Sequence, residues 1–239
     1  MSKMTLLSMS KVYEREDFYR PFVDSYKYID CSDIKGTNCY VDETAINSIR
    51  ERLKDVDASG IHYIDSGNYH YLSYMFLEKI QEDFELVLID KHPDCKRPMF
   101  DSLISCGSWI LEALYQLPNL KRVYMIGVDV DLVYELDDLG SLRDRALVVR
   151  SKHKLQESKL PIYISVDKDV LSEEVVNVNW DQGNMMMDEL GMWIEELSSS
   201  RRIIGVDICG EPDRNESDSA YASSSRVNGY LLECFNNIN

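Results

Sequence analysis

The sequence of 239 residues predicts an α/β protein with a mainly parallel sheet that helices cover on both faces. Several short segments are apolar throughout, as strands are when both faces of a sheet are buried. These segments alternate with longer stretches whose apolar residues follow the period of a helix. The length suits one compact α/β domain, so we expect residues 1–239 to form a single domain.

The elements follow from these patterns in chain order. The predicted strands span residues 60–65, 85–90, 121–128, 145–150, 161–166 and 202–207. Apolar residues at helical spacing predict helices over residues 44–53, 69–83, 102–117, 186–197 and 221–235. The first 59 residues are otherwise less regular and are rich in tyrosine.

The charge balance limits the partners of this protein. Against 42 acidic side chains stand 26 basic ones, so the formal net charge is −16. This excess repels phosphate backbones and anionic lipid surfaces, and we therefore expect neither a nucleic-acid nor a membrane partner. The six cysteines form no Cys-x-x-Cys pair and no export signal is recognisable, so we expect a cytoplasmic protein with reduced thiols.

Acidic and histidine side chains are concentrated where the apolar strands end. These side chains are His70, Asp90, His92, Asp94, Asp167 and Asp169. In an open parallel sheet, sites form at the carboxyl ends of the strands. Four carboxylates at one edge would repel one another unless cations neutralise them. The alternative for each residue alone is an ordinary loop acid or a hydrogen-bonded loop histidine.

Four segments of the chain, three of which contain these six residues, resemble in their order and approximate spacing those of the ureohydrolases, the arginase and agmatinase family. The matching segments are residues 67–70, 90–94, 165–169 and 205–212, so the resemblance covers about residues 60–212. It implies an arginase-like three-layer α/β/α sandwich. It also implies that the six residues named above are metal ligands, and that Asp94 and Glu211 take part in catalysis.

The resemblance implies two divalent metal ions, and the ligand types favour Mn²⁺, because oxygen and imidazole donors without thiolate suit that ion. Two neighbouring ions lower the pKa of a bound water. The family's reaction is attack of the resulting bridging hydroxide on a guanidinium carbon, which releases urea and an amine. A small cationic guanidino or amidine substrate suits the negative charge of the protein. Family members often form homo-oligomers, which is one expectation here.

Four residues are candidates for substrate contacts. Glu211 is expected to pair with the guanidinium, because a carboxylate accepts its forked N–H donors in two parallel bonds; the alternative is a surface acid before Pro212. Lys96 and Arg97 can bind a substrate carboxylate, although solvated loop charges are an equal reading. The resemblance implies that Asp131 lies near the amine of the substrate, and the equal alternative is a solvated acid after the strand end.

One departure from the family pattern leaves the activity open. Family members carry a histidine that assists proton transfer where this chain has Cys106. A buried thiol is a poor general acid near pH 7. Three alternatives to a ureohydrolase therefore stay open: a related hydrolase of another amide or amidine, a non-catalytic metal- or ligand-binding protein on the same scaffold, and an acidic α/β domain without metal.

Overall fold

The structure, a computed structural model, describes residues 3–22, 25–98, 100, 103–151, 155 and 158–236. The strands of this part are β1 (Met4–Ser8), β2 (Tyr26–Asp30), β3 (Tyr40–Val41), β4 (Ile61–Tyr63), β5 (Phe84–Ile89), β6 (Ile104–Ser105), β7 (Leu120–Ile126), β8 (Ala146–Val149), β9 (Ile162–Asp167) and β10 (Ile203–Cys209). The α-helices are α1 (Glu43–Arg52), α2 (Leu72–Leu77), α3 (Trp109–Gln116), α4 (Met187–Ser200) and α5 (Asp218–Asn236).

Eight of these strands form one sheet with the order β2-β1-β4-β10-β9-β5-β7-β8. Every pairing within it is parallel. The strands β3 and β6 form a separate antiparallel pair. Because β4, β10, β9 and β5 are consecutive neighbours, their carboxyl ends lie along one edge of the sheet, where residues after β4, β5 and β9 can meet.

Two hydrophobic cores lie on opposite faces of the sheet, which makes the molecule a three-layer sandwich. Side chains of β5 alternate between them, with Leu86 and Leu88 in one core and Val87 and Ile89 in the other. Helices α1, α2 and α3 cover the first core, and α4 and α5 cover the second. This arrangement confirms the predicted fold class. None of the helices described is both long and apolar enough to cross a lipid bilayer.

Two predicted helices are wrong in extent, and four of the strands described were not predicted. The segment 102–117 is not one helix: β6 and a turn precede α3, which begins at Trp109, while Ser102 lies outside the described residues. The apolar spacing over residues 69–83 yields only the short helix α2. The strands β1, β2 and β3 lie in the irregular first part of the chain and were missed.

Candidate metal centre

The structure brings together the six side chains that the sequence suggests as metal ligands. His70 follows a short 3₁₀ turn after β4, Asp90 directly follows β5, and Asp167 is the last residue of β9. The remaining three, His92, Asp94 and Asp169, lie in the turns that continue from β5 and β9. The convergence is a direct result of parallel neighbours ending at one edge.

The first group of donor atoms surrounds Nδ1 of His70. This atom lies 2.9 Å from Asp94 Oδ2, 3.3 Å from Asp90 Oδ2 and 3.5 Å from Asp167 Oδ2. One ligand atom each from His70, Asp90 and Asp94 lie within 4.8 Å of one another, close enough to hold one ion.

The second group surrounds Nδ1 of His92. This atom lies 2.8 Å from Asp169 Oδ2 and 3.6 Å from Asp90 Oδ1. Asp90 thus offers one carboxylate oxygen to each group. The two groups are adjacent and share a ligand, which is an arrangement suited to a pair of cations.

Hydrogen bonds fix both imidazoles with Nδ1 toward the carboxylates. The Ser165 hydroxyl donates to Asp207 Oδ1 at 2.5 Å, so it accepts from His70 Nε2, which is 2.9 Å away. Likewise, His92 Nε2 lies 3.1 Å from the acceptor Asp181 Oδ1. Each ring thus donates from Nε2, which leaves Nδ1 as the atom that faces the carboxylates and that a metal would bind, as outer hydrogen bonds of ligating histidines usually arrange.

Bound cations would neutralise the buried negative charge of the centre. Burial raises the pKa of Asp94 to about 6, and the negative charge of Asp90 adds to the effect. Burial opposes protonation of His92, but its hydrogen bonds to Asp169 and Asp90 prevail and raise its pKa to about 12. Asp90 Oδ2 is buried without a hydrogen-bond partner. Four buried carboxylates and two imidazoles arranged in this way fit a pair of divalent ions.

Two further residues at the centre were not predicted. Trp109, the first residue of α3, donates from Nε1 to Asp94 Oδ2 at 2.7 Å. The thiol of Cys209 lies 3.0 Å from Asp167 Oδ2 and forms a third possible ligand group with His70 and Asp167. Only the three-dimensional fold brings Trp109 to Asp94, whereas the place of Cys209 two residues after Asp207 on β10 was a usable signal.

The centre forms the floor of a cavity of about 490 Å³. Its lining residues are Tyr40, Gly67, His70, Asp90, His92, Asp94, Lys96, Arg97, Pro98, Ser105, Cys106, Gly107, Glu135, Asp167, Asp169 and Trp180. Trp180 packs closely over Gly67, where a Cβ would lie 2.6 Å from the indole Cδ1. A side chain at Gly67 would therefore displace the wall of the cavity.

Lys96 and Arg97 line the cavity. Lys96 Nζ forms an ion pair with Glu135 Oε1 at 2.9 Å, and the Glu135 side chain is buried. The Arg97 backbone N–H donates to Asp138 Oδ2 at 3.0 Å, which anchors the main chain there. Cys106 lines the same cavity.

The structure corrects the placement of two expected substrate contacts. Glu211 is fully buried and does not line the cavity, because its Oε2 pairs with Lys168 Nζ at 2.8 Å. Asp131 is exposed in the 3₁₀ segment Val130–Arg145 and also lies outside the cavity. Neither residue is positioned to touch a molecule bound over the centre.

The chain is similar to several known proteins. An uncharacterized protein of Thermotoga maritima is 27% identical over 209 residues, which cover 87% of this chain and 79% of the relative. The solved arginase of Bacillus caldovelox has a TM-score of 0.65 at 12% identity and covers 97% of this chain and 98% of its own. The Trypanosoma cruzi formiminoglutamase with Mn²⁺ has a TM-score of 0.68 at 11% identity, with coverage of 100% and 95%.

At such low identity, the two solved structures show a shared fold alone. The sequence model of the arginase family, however, matches residues 4–224, which include every strand and four of the five α-helices in full. The chain belongs to the arginase family.

Proposed function

We propose that this chain is a metal-dependent hydrolase that cleaves a C–N bond of a linear amidine or guanidino compound. The observation that carries the proposal is the pair of imidazoles, His70 and His92, which are held through Nε2 and turn Nδ1 toward the shared carboxylate of Asp90. Membership of the arginase family supports the same reaction class.

The six clustered side chains are the ligands that we assign to two divalent cations, with Mn²⁺ as the first candidate because no thiolate is among them. When bound, such ions supply the Lewis acidity that makes water nucleophilic at neutral pH. Asp94 lines the cavity, and we assign to its carboxylate the proton that the attacking water gives up. Cys106 is a weak candidate for this role because burial and the neighbouring Cys39 raise its pKa.

The charge of the cavity indicates the substrate class. Four aspartates offset the charge of two divalent ions, which leaves Lys96 and Arg97 against the single carboxylate of Glu135. Two positive side chains against one negative side chain leave a net charge of one positive unit. We therefore propose a substrate that carries a carboxylate at one end and the amidine or guanidino group at the other, rather than a simple aminoalkyl guanidine.

The experiment starts from purified protein loaded with Mn²⁺ and freed of unbound ions. Bound metal is measured by mass spectrometry, and release of urea, ammonia or formamide is followed with guanidino acids, formimidoyl amino acids and aminoalkyl guanidines. We expect two ions per chain and turnover of a carboxylate-bearing compound. The variants His92→Ala and Asp167→Asn should each lose at least one ion, whereas the matched control Asp131→Asn should keep both.

Two outcomes would contradict the proposal in different ways. Less than one ion per chain in the unsubstituted protein would remove the metal centre and favour an acidic domain without metal. Two ions without turnover of any compound would favour the second candidate, a ligand-binding protein on the same scaffold, which Cys106 at the position of the family's histidine supports.

A further inference from the structure

Two cysteines face each other across the small sheet at the wall of the cavity. The antiparallel register pairs Tyr40 with Ser105 and Val41 with Ile104, and Cys39 and Cys106 are the next residues at the same end of the two strands. Cys39 has a left-handed φ of +61°, so the regular ladder ends at this point. The Cys106 backbone N–H donates to the Cys39 carbonyl at 2.9 Å, which links the two backbones at this pair. Hydrogen-bonded partners in such a ladder have Cα atoms about 5.5 Å apart, a separation that is common in disulfides.

The two thiols also affect each other's ionisation. The hydrogen bond from the Cys106 thiol lowers the pKa of Cys39 to about 7, against the opposing effect of burial, while the same contact raises the pKa of Cys106. Near neutral pH, Cys39 is thus the member of the pair that becomes a thiolate, the reactive form of cysteine. Cys39 is half-buried, so a small oxidant can reach it, and Cys106 is buried beside it.

The other four cysteines have no comparable environment. Cys31, Cys95 and Cys209 are buried and Cys234 is half-buried, and burial is the largest cause that raises the pKa of each thiol. The chain therefore contains a matched internal control. Cys234 resembles Cys39 in exposure and differs from it in lacking the lowered pKa.

We propose that Cys39 and Cys106 are an oxidation site that a hydroperoxide converts to a disulfide in the wall of the cavity. The Cys39 thiolate attacks one peroxide oxygen and the O–O bond breaks, which gives a sulfenic acid and releases hydroxide, or alkoxide from an organic peroxide. The Cys106 sulfur then attacks the sulfenic sulfur, the S–O bond breaks, and the thiol proton leaves with the oxygen as water. Two thiols lose two electrons in total, and the peroxide gains them.

The disulfide would act on the part of the wall that holds Lys96. Cys106 and Gly107 line the cavity, and the Gly107 carbonyl accepts from the Lys96 backbone N–H at 2.9 Å. A covalent link from Cys106 to β3 therefore restrains the turn that supports Lys96. This effect on substrate rests on the proposed hydrolase function, whereas formation of the bond does not.

The test treats the full-length reduced protein with increasing hydrogen peroxide and maps the products by peptide mass spectrometry without reductant. We expect a Cys39–Cys106 cross-linked peptide that dithiothreitol reverses, formed at lower peroxide than any oxidation of Cys234. In Cys106→Ser, dimedone should trap a sulfenic acid at Cys39. In Cys39→Ser, Cys106 should stay reduced, while Cys234→Ser should behave as the unsubstituted protein.

The measurement on the unsubstituted protein decides the proposal even if a variant does not fold. Absence of the cross-linked peptide, or oxidation of Cys234 before Cys39, would overturn it. Metal content and turnover measured on the same samples separate this result from the proposed hydrolase function, because the disulfide can form in a protein that turns over no substrate.

Discussion

Lys168 and Glu211 form an ion pair of 2.8 Å in which both side chains are fully buried. Lys168 stands between Asp167 and Asp169, and its Nζ also donates to Ser224 and Asn228 on α5. The end of β9 and the turn after it, which together carry two candidate metal ligands, are thereby bound to the last helix. The pair is a structural connection between the centre and α5, and it accounts for the carboxylate that sequence reasoning had assigned to a substrate.

Replacement of Lys168 by Met should be strongly destabilising. It leaves the Glu211 carboxylate buried without its counter-ion, and such losses cost about 3–5 kcal/mol of unfolding free energy. The control is Lys121→Met, because Lys121 pairs with Asp83 at the surface and exposed pairs contribute about 0–1 kcal/mol. Urea denaturation of the metal-free proteins measures both. Equal losses of unfolding free energy in the two variants would show that the buried pair contributes no more to stability than the exposed pair.

Trp109→Phe should weaken metal binding while the fold persists. The substitution keeps a ring beside His70 but removes the N–H that orients Asp94. Loss of such an outer hydrogen bond reduces metal affinity by about 10–100-fold. Competition with a chromogenic chelator measures the affinity. Trp193→Phe is the matched control, because Trp193 lies in the core on the opposite face of the sheet, and an equal loss in that variant would contradict the assigned role.

Lys96→Ala should change substrate preference more than overall activity. If Lys96 and Arg97 hold the substrate carboxylate, the variant should raise the KM for a carboxylate-bearing amidine by about tenfold, the effect of 1.4 kcal/mol. The KM of an uncharged amidine should change little. Steady-state kinetics with the two substrates test this, and a parallel rise of both values would show a general disturbance of the loop.

His62 should add its own pH dependence to the stability of the protein, from a buried position outside the metal centre. Burial lowers its pKa to about 4, and the neutral ring stacks on Phe76 with centroids 4.1 Å apart. The unfolded state, with a pKa near 6.5, binds the proton first, so stability falls as the pH drops from about 6.5 to 4. The contribution of His62 over this window is about 3 kcal/mol.

The variant His62→Gln isolates this contribution, since its side chain does not titrate. Denaturation curves of both proteins from pH 4 to pH 7 give the difference in slope, and carboxylates common to both proteins cancel. The unsubstituted protein should lose more stability toward pH 4. Parallel curves would mean that the ring is protonated at little cost in the folded state.

The strands that carry the site could be predicted from the sequence because their burial leaves a local pattern. The predicted segments 85–90, 161–166 and 202–207 overlap the observed β5, β9 and β10. The polar residues that end these strands could be identified because they follow this local apolar pattern. By contrast, β2 is half-exposed and alternates charged with apolar side chains, so its pairing with β1 gives no comparable signal.

The misplacement of Glu211 has a backbone cause that spacing could not reveal. Gly210 follows β10 with φ +90°, a left-handed conformation that favours glycine. A Cβ there would lie 2.6 Å from Asp167 Oδ1, so no carboxylate side chain fits at this position. The chain turns away from the cavity and Glu211 reaches Lys168 instead. The early start predicted for α3 failed similarly, because residues 104–105 pair with a distant strand.

The order of strands across the sheet also determines at what point during synthesis the sheet can be completed. The two middle strands, β10 and β9, are the last to be synthesised and insert between β4 and β5. Until residues 162–209 leave the ribosome, β4 and β5 expose unpaired edges, which are prone to aggregation. Asp167 and Asp169 are synthesised with these strands. A nascent chain that ends before them contains His70, Asp90, His92 and Asp94 but cannot assemble the full centre. Metal supplied during expression should therefore act on the finished chain rather than guide its early folding.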